Sequence, residues 1–336
     1  MTGIVKKEDK GKKAPSNPLL SIIIVNYNVK EYILNCIQSI QDKIDANRCP
    51  YEVIVSDNGS VDGSVEAIRE RFPWVKVIEN NANLGFGKAN NIGAKQAKGE
   101  VLFFLNPDTV INYGIEEMCD YILHHPQTGV LSPLVLDENS SINLAPFYSF
   151  DYNIFLLVLG LITLRPYTLL YSYRLHKNIK YKRIFNTNII TGCSMMMRKN
   201  VFIQIHCFDE NLFMYSEEFD IEQKIRRHHY LIQLDTQASI THYGDTPIHF
   251  LKVNQQIAAH SQKVVLQTHF HYTWILRYIL LMLNYCKYTL SLELKGILGF
   301  FVKKNKIGYL NFNRVKWNLL LIKAMYKELL ARDKVV

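Results

Sequence analysis

Four apolar runs of strand length recur in the first third of the chain: Ser21–Asn28 (SIIIVNYN), Tyr51–Ser56 (YEVIVS), Val75–Ile78 (VKVI) and Glu100–Leu105 (EVLFFL). Continuous rather than alternating hydrophobicity marks strands covered on both faces, as in a parallel sheet packed between helices. The intervening stretches read as helices. Glu31–Asp42 sets Ile33, Ile37 and Ile40 on one face, Gly63–Arg71 is short, and Lys88–Lys98 is polar and Ala-rich. Further on, Met195–Met197 and Leu231–Leu234 read as strands and Asp220–His229 as a helix. The pattern predicts an α/β fold with a mostly parallel central sheet flanked by helices.

Three of the runs end in Asn/Asp/Gly-rich tips: Asn26-Tyr27-Asn28, Asp57-Asn58-Gly59-Ser60 and Asn106-Pro107-Asp108. Ligands of open α/β sheets bind outside the carboxyl ends of the strands, so these tips are expected to meet at one site.

The pattern breaks at 151–185. Ile154–Leu164 is apolar, but Arg165-Pro166 cuts it well short of the ~20 residues a membrane-spanning helix requires. From about Asn254 the chain reads as helical, and Trp274–Leu283 is again too short to span. In 313–334, Lys316, Lys323, Lys327 and Lys334 share one helical face, with Leu321, Ile322, Met325 and Leu329 opposite. That wheel fits either a surface helix packed on its own core or a membrane contact.

Charge sharpens this division. The 336 residues carry a net +9, yet 165–184 holds six basic residues and no acid, and 252–336 holds fourteen basic against three acidic. The rest of the body is net acidic. Basic charge mixed with apolar and aromatic residues is the composition of an anionic-membrane contact; a nucleic-acid surface is the rival reading. The expected layout is a flexible basic N-terminus (1–18), an α/β domain (19–250) with an amphipathic basic insertion (about 151–185), and a helical membrane-associating region (251–336). Six cysteines without a C-x-x-C pair suggest neither a disulfide framework nor a zinc knuckle and fit a reducing compartment. No signal-peptide pattern opens the chain, so a cytoplasmic location is expected.

Two glycine motifs fail. Gly85-Phe86-Gly87-Lys88-Ala89-Asn90 ends in Asn where a dinucleotide fingerprint needs a third glycine. Gly87-Lys88 lacks the upstream glycine and following Ser or Thr of a P-loop. Other groups have two readings each. Asp108 can hold Mg²⁺ or Mn²⁺ against a diphosphate, or belong to an ordinary turn. Asp57 and Asp62 can read a nucleobase or cap a helix. Glu217, Glu218 and Asp220 can supply a general base or complement a helix dipole. His242 can be a ligand or structural.

Taken in order, SIIIVNYN, VIVSDNGSVDGS, NLGFGKANNIG, FFLNPDT, TGCSMMMRKNVF and FDENLFMYSEEFD resemble the family 2 inverting glycosyltransferases of GT-A fold, in their rhamnosyltransferase-like bacterial branch. The resemblance covers about 19–245. It implies that Asn26, Tyr27 and Asn28 line a nucleotide pocket, Asp57 contacts the base with Asp62 nearby, and Asn83, Gly85, Phe86 and Asn91 shape the nucleoside side. Asn106 opens the family's D-x-D-like triplet and Asp108, its last member, binds the metal and diphosphate. Gly192 and Cys193 lie in an acceptor-side loop. Glu218 stands where the family usually has the catalytic Asp, so Glu217 remains a candidate, and His242 matches a late His near the metal. The implied function is metal-assisted, single-displacement transfer of a sugar from a dTDP- or UDP-linked donor to a glycan or lipid-linked glycan, at the inner face of the cell membrane and without nucleic acid. A sugar nucleotidyltransferase and a non-catalytic nucleotide-sugar binding protein are the alternatives.

Overall fold

The computed structural model describes residues 17–142, 158, 176–188, 190–244, 255–284, 286–287 and 307–330, the last segment with side chains from 319. The first sixteen residues and most of the basic insertion expected at 151–185 (all but 158 and 176–185) lie outside the described residues.

Strands β1 (Leu20–Asn26), β2 (Tyr51–Asp57), β3 (Lys76–Glu79) and β4 (Val101–Leu105) pair in parallel, in the order β3-β2-β1-β4. They alternate with helices α1 (Lys30–Lys43), α2 (Ser64–Arg71) and α3 (Phe86–Gln96). All of β1, except a partly exposed Val25, and all of β2 and β4 are buried, because helices cover both faces. This half follows the sequence pattern closely, with ends shifted by one or two residues.

The other half corrects the expectation of a mostly parallel sheet. Strands β5 (Thr109–Tyr113), β6 (Thr128–Leu136), β7 (Ile184–Asn186), β8 (Ser194–Arg198) and β9 (Leu231–His242) extend it to nine. β8 runs antiparallel to both β4 and β6, β9 runs parallel to β6, and β5 and β7 pair antiparallel with β9. The sheet is mixed. Further helices include α4 (Ile115–His124), α5 (Lys199–Gln204), α6 (Glu217–Arg227), α7 (Gln255–His269) and α8 (Ile307–Leu330).

A second apolar core joins the C-terminal helices to the domain. Leu212 and Phe219 pack with Ala258, Val265 and Leu266 of α7, Tyr278 and Leu281 of the helical stretch 274–284, and Leu321 and Met325 of α8. The apolar face of the 313–334 wheel is therefore consumed by packing. Lys323 and Lys327 lie on the exposed side, together with Leu319, Leu320, Tyr326 and Leu330. Among the described residues no helix is long and apolar enough to cross a membrane.

Candidate active site

The parallel register places Asn26 beside Asp57 at the carboxyl edge of the sheet. The Asn26 side-chain amide donates to Asp57 Oδ1 (2.7 Å), Ser60 Oγ (3.0 Å) and Ser64 Oγ (2.8 Å). Asp57, only 2% exposed, also accepts from the Ser60 hydroxyl and from the backbone N–H groups of Gly59 and Ser60. Its two oxygens thus hold the loop that follows β2. Asp62 ties two helix starts together by accepting from the Lys30 and Ser64 backbones. Burial opposes its charge, but these hydrogen bonds hold its carboxyl below the usual range. Asn28 accepts from the Val61 N–H. Tyr27, 47% exposed, leaves its side chain open to a ligand.

The next wall is the loop before α3. Asn83 Oδ1 accepts from Gly85 N–H, and Phe86 N–H donates to the Phe213 carbonyl (2.9 Å). Gly85 has φ +84° and lies so close to Phe213 that a Cβ would stand 2.2 Å from its carbonyl oxygen. Asn91 is buried and bridges both backbone groups of Phe208, donating to its carbonyl and accepting from its N–H. It reaches a ligand only through the loops it fastens.

At the end of β4, Asn106 N–H donates to the Cys193 carbonyl (2.9 Å), which brings the loop before β8 against the Asn106–Asp108 tip. His242 closes the other side, since Thr109 opposes it in the β5–β9 register and its Nε2 lies 3.3 Å from Asp108 Oδ1. The Asn106 and Asp108 Oδ1 atoms are buried without a hydrogen-bond donor. Gly244 passes so close that a Cβ would meet both His242 Nε2 and Asp108 Oδ2 below 3 Å. Two undonated oxygens beside an imidazole fit a hard cation that takes its remaining ligands from a diphosphate. Among the described residues no group of three or more His, Cys, Asp or Glu side chains is arranged to hold a metal ion by itself.

The acids sit across the Gly192–Cys193 loop. A Cβ at Gly192 would be 3.4 Å from Glu218 Oε2, so the half-buried Glu218 carboxylate faces this loop directly. Burial raises the Glu218 carboxyl above its usual range. Glu217 is 5% exposed with Oε1 unpartnered, and burial followed by the Glu218 charge pushes it up to about 8. Asp220 is committed to other partners. Its carboxylate, 1% exposed, is taken by His269 Nε2 (2.8 Å) and Lys224 Nζ (2.7 Å). That leaves it in no position to serve as the base, and those partners hold its carboxyl low against the effect of burial. Cys193 is no nucleophile either, since burial raises its thiol to about 12.

One participant escaped the sequence reading. Glu222, buried, accepts from the Ile190 N–H (2.8 Å) and anchors the loop that Glu218 faces. Its signal was the spacing, because Glu218 and Glu222 are four residues apart on one helical face.

A family model described as glycosyl transferase family 2 matches residues 21–205, more than half of the chain. The chain belongs to this family. Among curated relatives, an N-acetylglucosaminyl-diphospho-decaprenol L-rhamnosyltransferase of Mycobacterium tuberculosis is 27% identical over 241 residues, covering 67% of this chain and 76% of its own length. The poly(ribitol-phosphate) beta-N-acetylglucosaminyltransferase TarS of Staphylococcus aureus is 35% identical over 96 residues, 27% of this chain and 16% of its own. Among solved structures, the mannosyltransferase PcManGT from Pyrobaculum calidifontis, in complex with GDP-Man and Mn²⁺, superposes with a TM-score of 0.56 at 15% identity, over 97% of this chain and 91% of its own. GalNAc-T7 with UDP, GalNAc and Mn²⁺ gives 0.52 at 18% identity over 74% of this chain, which spans about half (48%) of that protein. These two likenesses establish the GT-A type fold of this family 2 glycosyltransferase.

Proposed function

We propose that this glycosyltransferase is inverting and metal-assisted, and moves a sugar from a nucleoside-diphosphate donor to a hydroxyl of a lipid-linked glycan precursor at an anionic membrane surface. The observation that carries the reading is the double-sided loop at Gly192-Cys193. One side is hydrogen-bonded to Asn106 beside Asp108 and His242, and the other faces Glu218. A single in-line displacement requires a base and a leaving-group site on opposite faces of the anomeric carbon, and this one loop contacts the groups proposed for both.

In this reading the exposed Tyr27 and the 83–86 loop border the nucleoside, and Asp108 with His242 would hold Mg²⁺ or Mn²⁺ on the diphosphate. Such a cation, when bound, neutralises charge that builds on the departing diphosphate. Glu218 takes the proton of the acceptor hydroxyl on a carboxylate oxygen as that hydroxyl attacks the anomeric carbon. Displacement from the opposite face inverts the centre, and no protein nucleophile is needed. Burial raises the Glu218 carboxyl and so makes its carboxylate a stronger proton acceptor than an exposed one.

Rhamnose as the sugar transferred is supported by similarity to the mycobacterial L-rhamnosyltransferase, with dTDP- or UDP-linked donors as the candidates to test. Its printed name, with a diphospho-decaprenol carrier, likewise supports a lipid-linked acceptor. The membrane surface is supported by the basic excess of 252–336 and by exposed Tyr272, Ile275, Leu276 and Leu283 on the C-terminal helical segment. The deciding experiment measures nucleoside diphosphate released from dTDP-, UDP- and GDP-sugars with a polyprenyl-diphosphate glycan, with and without Mn²⁺. Metal-dependent release from one donor, with an inverted product, supports the reading. Binding without release would reduce the protein to a nucleotide-sugar binder, and diphosphate formed from sugar phosphate and nucleoside triphosphate would make it a nucleotidyltransferase.

A further inference from the structure

The catalytic acids are approached through a distorted stretch of backbone. Tyr215 (φ +73°) and Ser216 (φ +71°) are consecutive non-glycine residues in the left-handed region, directly before Glu217. Each such residue is strained, and the conformation persists only where surrounding structure over-determines it. Ser216 makes no side-chain cap at the start of α6, so the restraint comes from elsewhere.

It comes from α7. At one end of the strained pair, Ser261 Oγ donates to the Met214 carbonyl (2.8 Å). At the other, His269 Nε2–H donates to Asp220 Oδ1 (2.8 Å), and Arg227 of α6 donates to the His269 carbonyl (3.1 Å). The Phe219 ring lies edge-on to His269, and Leu212 and Phe219 are buried against α7. One helix therefore grips the chain on both sides of Tyr215-Ser216-Glu217-Glu218.

We propose that α7 is the positioning element of the acid pair, with His269 and Ser261 as positioning residues that act through Asp220 and the Met214 carbonyl. Neither touches the cleft. The C-terminal segment is then part of the catalytic machinery as well as a surface. The mechanistic consequence rests on the glutamate-base reading given above.

The test compares His269→Leu, His269→Gln and Ser261→Ala in the full chain, by steady-state kinetics and by amide hydrogen exchange. His269→Leu is expected to lower kcat roughly ten- to hundred-fold, as displacement of a reacting group by about 1 Å does, with donor KM nearly unchanged. The Asp220 amide, bonded to the Ser216 carbonyl at 3.0 Å, should lose exchange protection while β1–β4 keep theirs. Glutamine, whose Nε2 can stand where the imidazole Nε2 stands, should restore most of both. Ser261→Ala should lower kcat less and loosen 214–218.

A folded His269→Leu protein with wild-type kcat or unchanged exchange at Asp220 would overturn the proposal, as would a glutamine variant no better than leucine. If His269→Leu does not fold, Ser261→Ala decides, and unchanged kcat and exchange at 214–218 overturn it. A wild-type chain that transfers no sugar would instead sink the proposed function. The exchange data would still judge the clamp.

Discussion

His242 Nε2 stands 3.3 Å from Asp108 Oδ1, at the point where the last residue of β9 meets the first of β5. A carboxylate at the end of β4 is thus completed by a side chain from the far end of the sheet, and the pair depends on the β5–β9 register.

That dependence gives the first prediction. A nucleoside diphosphate at ~100 times its Kd adds about 2.7 kcal/mol of stability, read as a Tm rise in a thermal-shift panel of dTDP, UDP and GDP. The rise for the preferred nucleotide should need Mn²⁺, should vanish in Asp108→Asn, and should be reduced but retained in His242→Ala. Metal-independent binding in both variants would remove them from the diphosphate site.

Glu218 and Glu217 are separable by substitution. Glu218→Gln should lower kcat by about 10²- to 10⁴-fold, the usual contribution of a general base, with nucleotide affinity kept. Glu217→Gln should retain much of the activity, because its carboxyl is buried whereas Glu218 faces the Gly192 loop. Full turnover in Glu218→Gln would move the role to Glu217.

Glu217 also predicts a pH dependence of stability. Its carboxyl rises from 4.5 to about 8 on folding, so between those values the folded chain binds more protons than the unfolded one. Stability from this group is complete below about pH 4.5 and declines as pH rises through about 8. Glu217→Gln should therefore raise Tm relative to wild type at pH 8.5 and change it little at pH 4.5, as calorimetry at the two pH values would check.

Asn91 separates a structural role from a ligand-binding one. Removing its two bonds to the Phe208 backbone by Asn91→Ala should cost about 2 kcal/mol, since buried backbone groups lose their partners. Denaturant titration measures this. Nucleotide affinity per folded molecule should change little.

The C-terminal surface is tested with vesicles. Wild type should sediment with anionic but not neutral liposomes, and Lys323→Glu with Lys327→Glu should weaken that binding about tenfold or more, at ~1 kcal/mol per basic residue near the surface. Indifference to lipid charge would refute the membrane contact. Binding to nucleic acid that falls steeply with salt would favour the rival reading.

The parallel half of the sheet was legible because its strands are buried on both faces and write themselves as unbroken apolar runs. The half containing β5, β6 and α4 was not. β5 is short and only partly buried (TVINY), and β6 carries Pro133, which argues against an interior strand. The structure accommodates that proline at a register shift between Pro133 and Leu134 against β9. Antiparallel β8 was visible as Met195–Met197, but neither its direction nor its partner is written in a short apolar run. Within the site, the tips of β1, β2 and β4 were foreseen from composition. The commitments of Asp57, Asp62, Asn91 and Asp220 to internal partners were not, because hydrogen bonds between residues distant in sequence leave no local pattern.

The insertion of β8 beside β4 bears on how the enzyme is made. Strands β1 to β4 and their helices come from one continuous stretch, so the parallel half can pair while the chain is still being synthesised. The wall facing Glu218 waits for β8, and the grip on the acids waits for His269. During synthesis the parallel half of the sheet is therefore complete well before β8 and α7 are added, so the Gly192-Cys193 loop and the contacts that hold Asp220 are late parts of the structure.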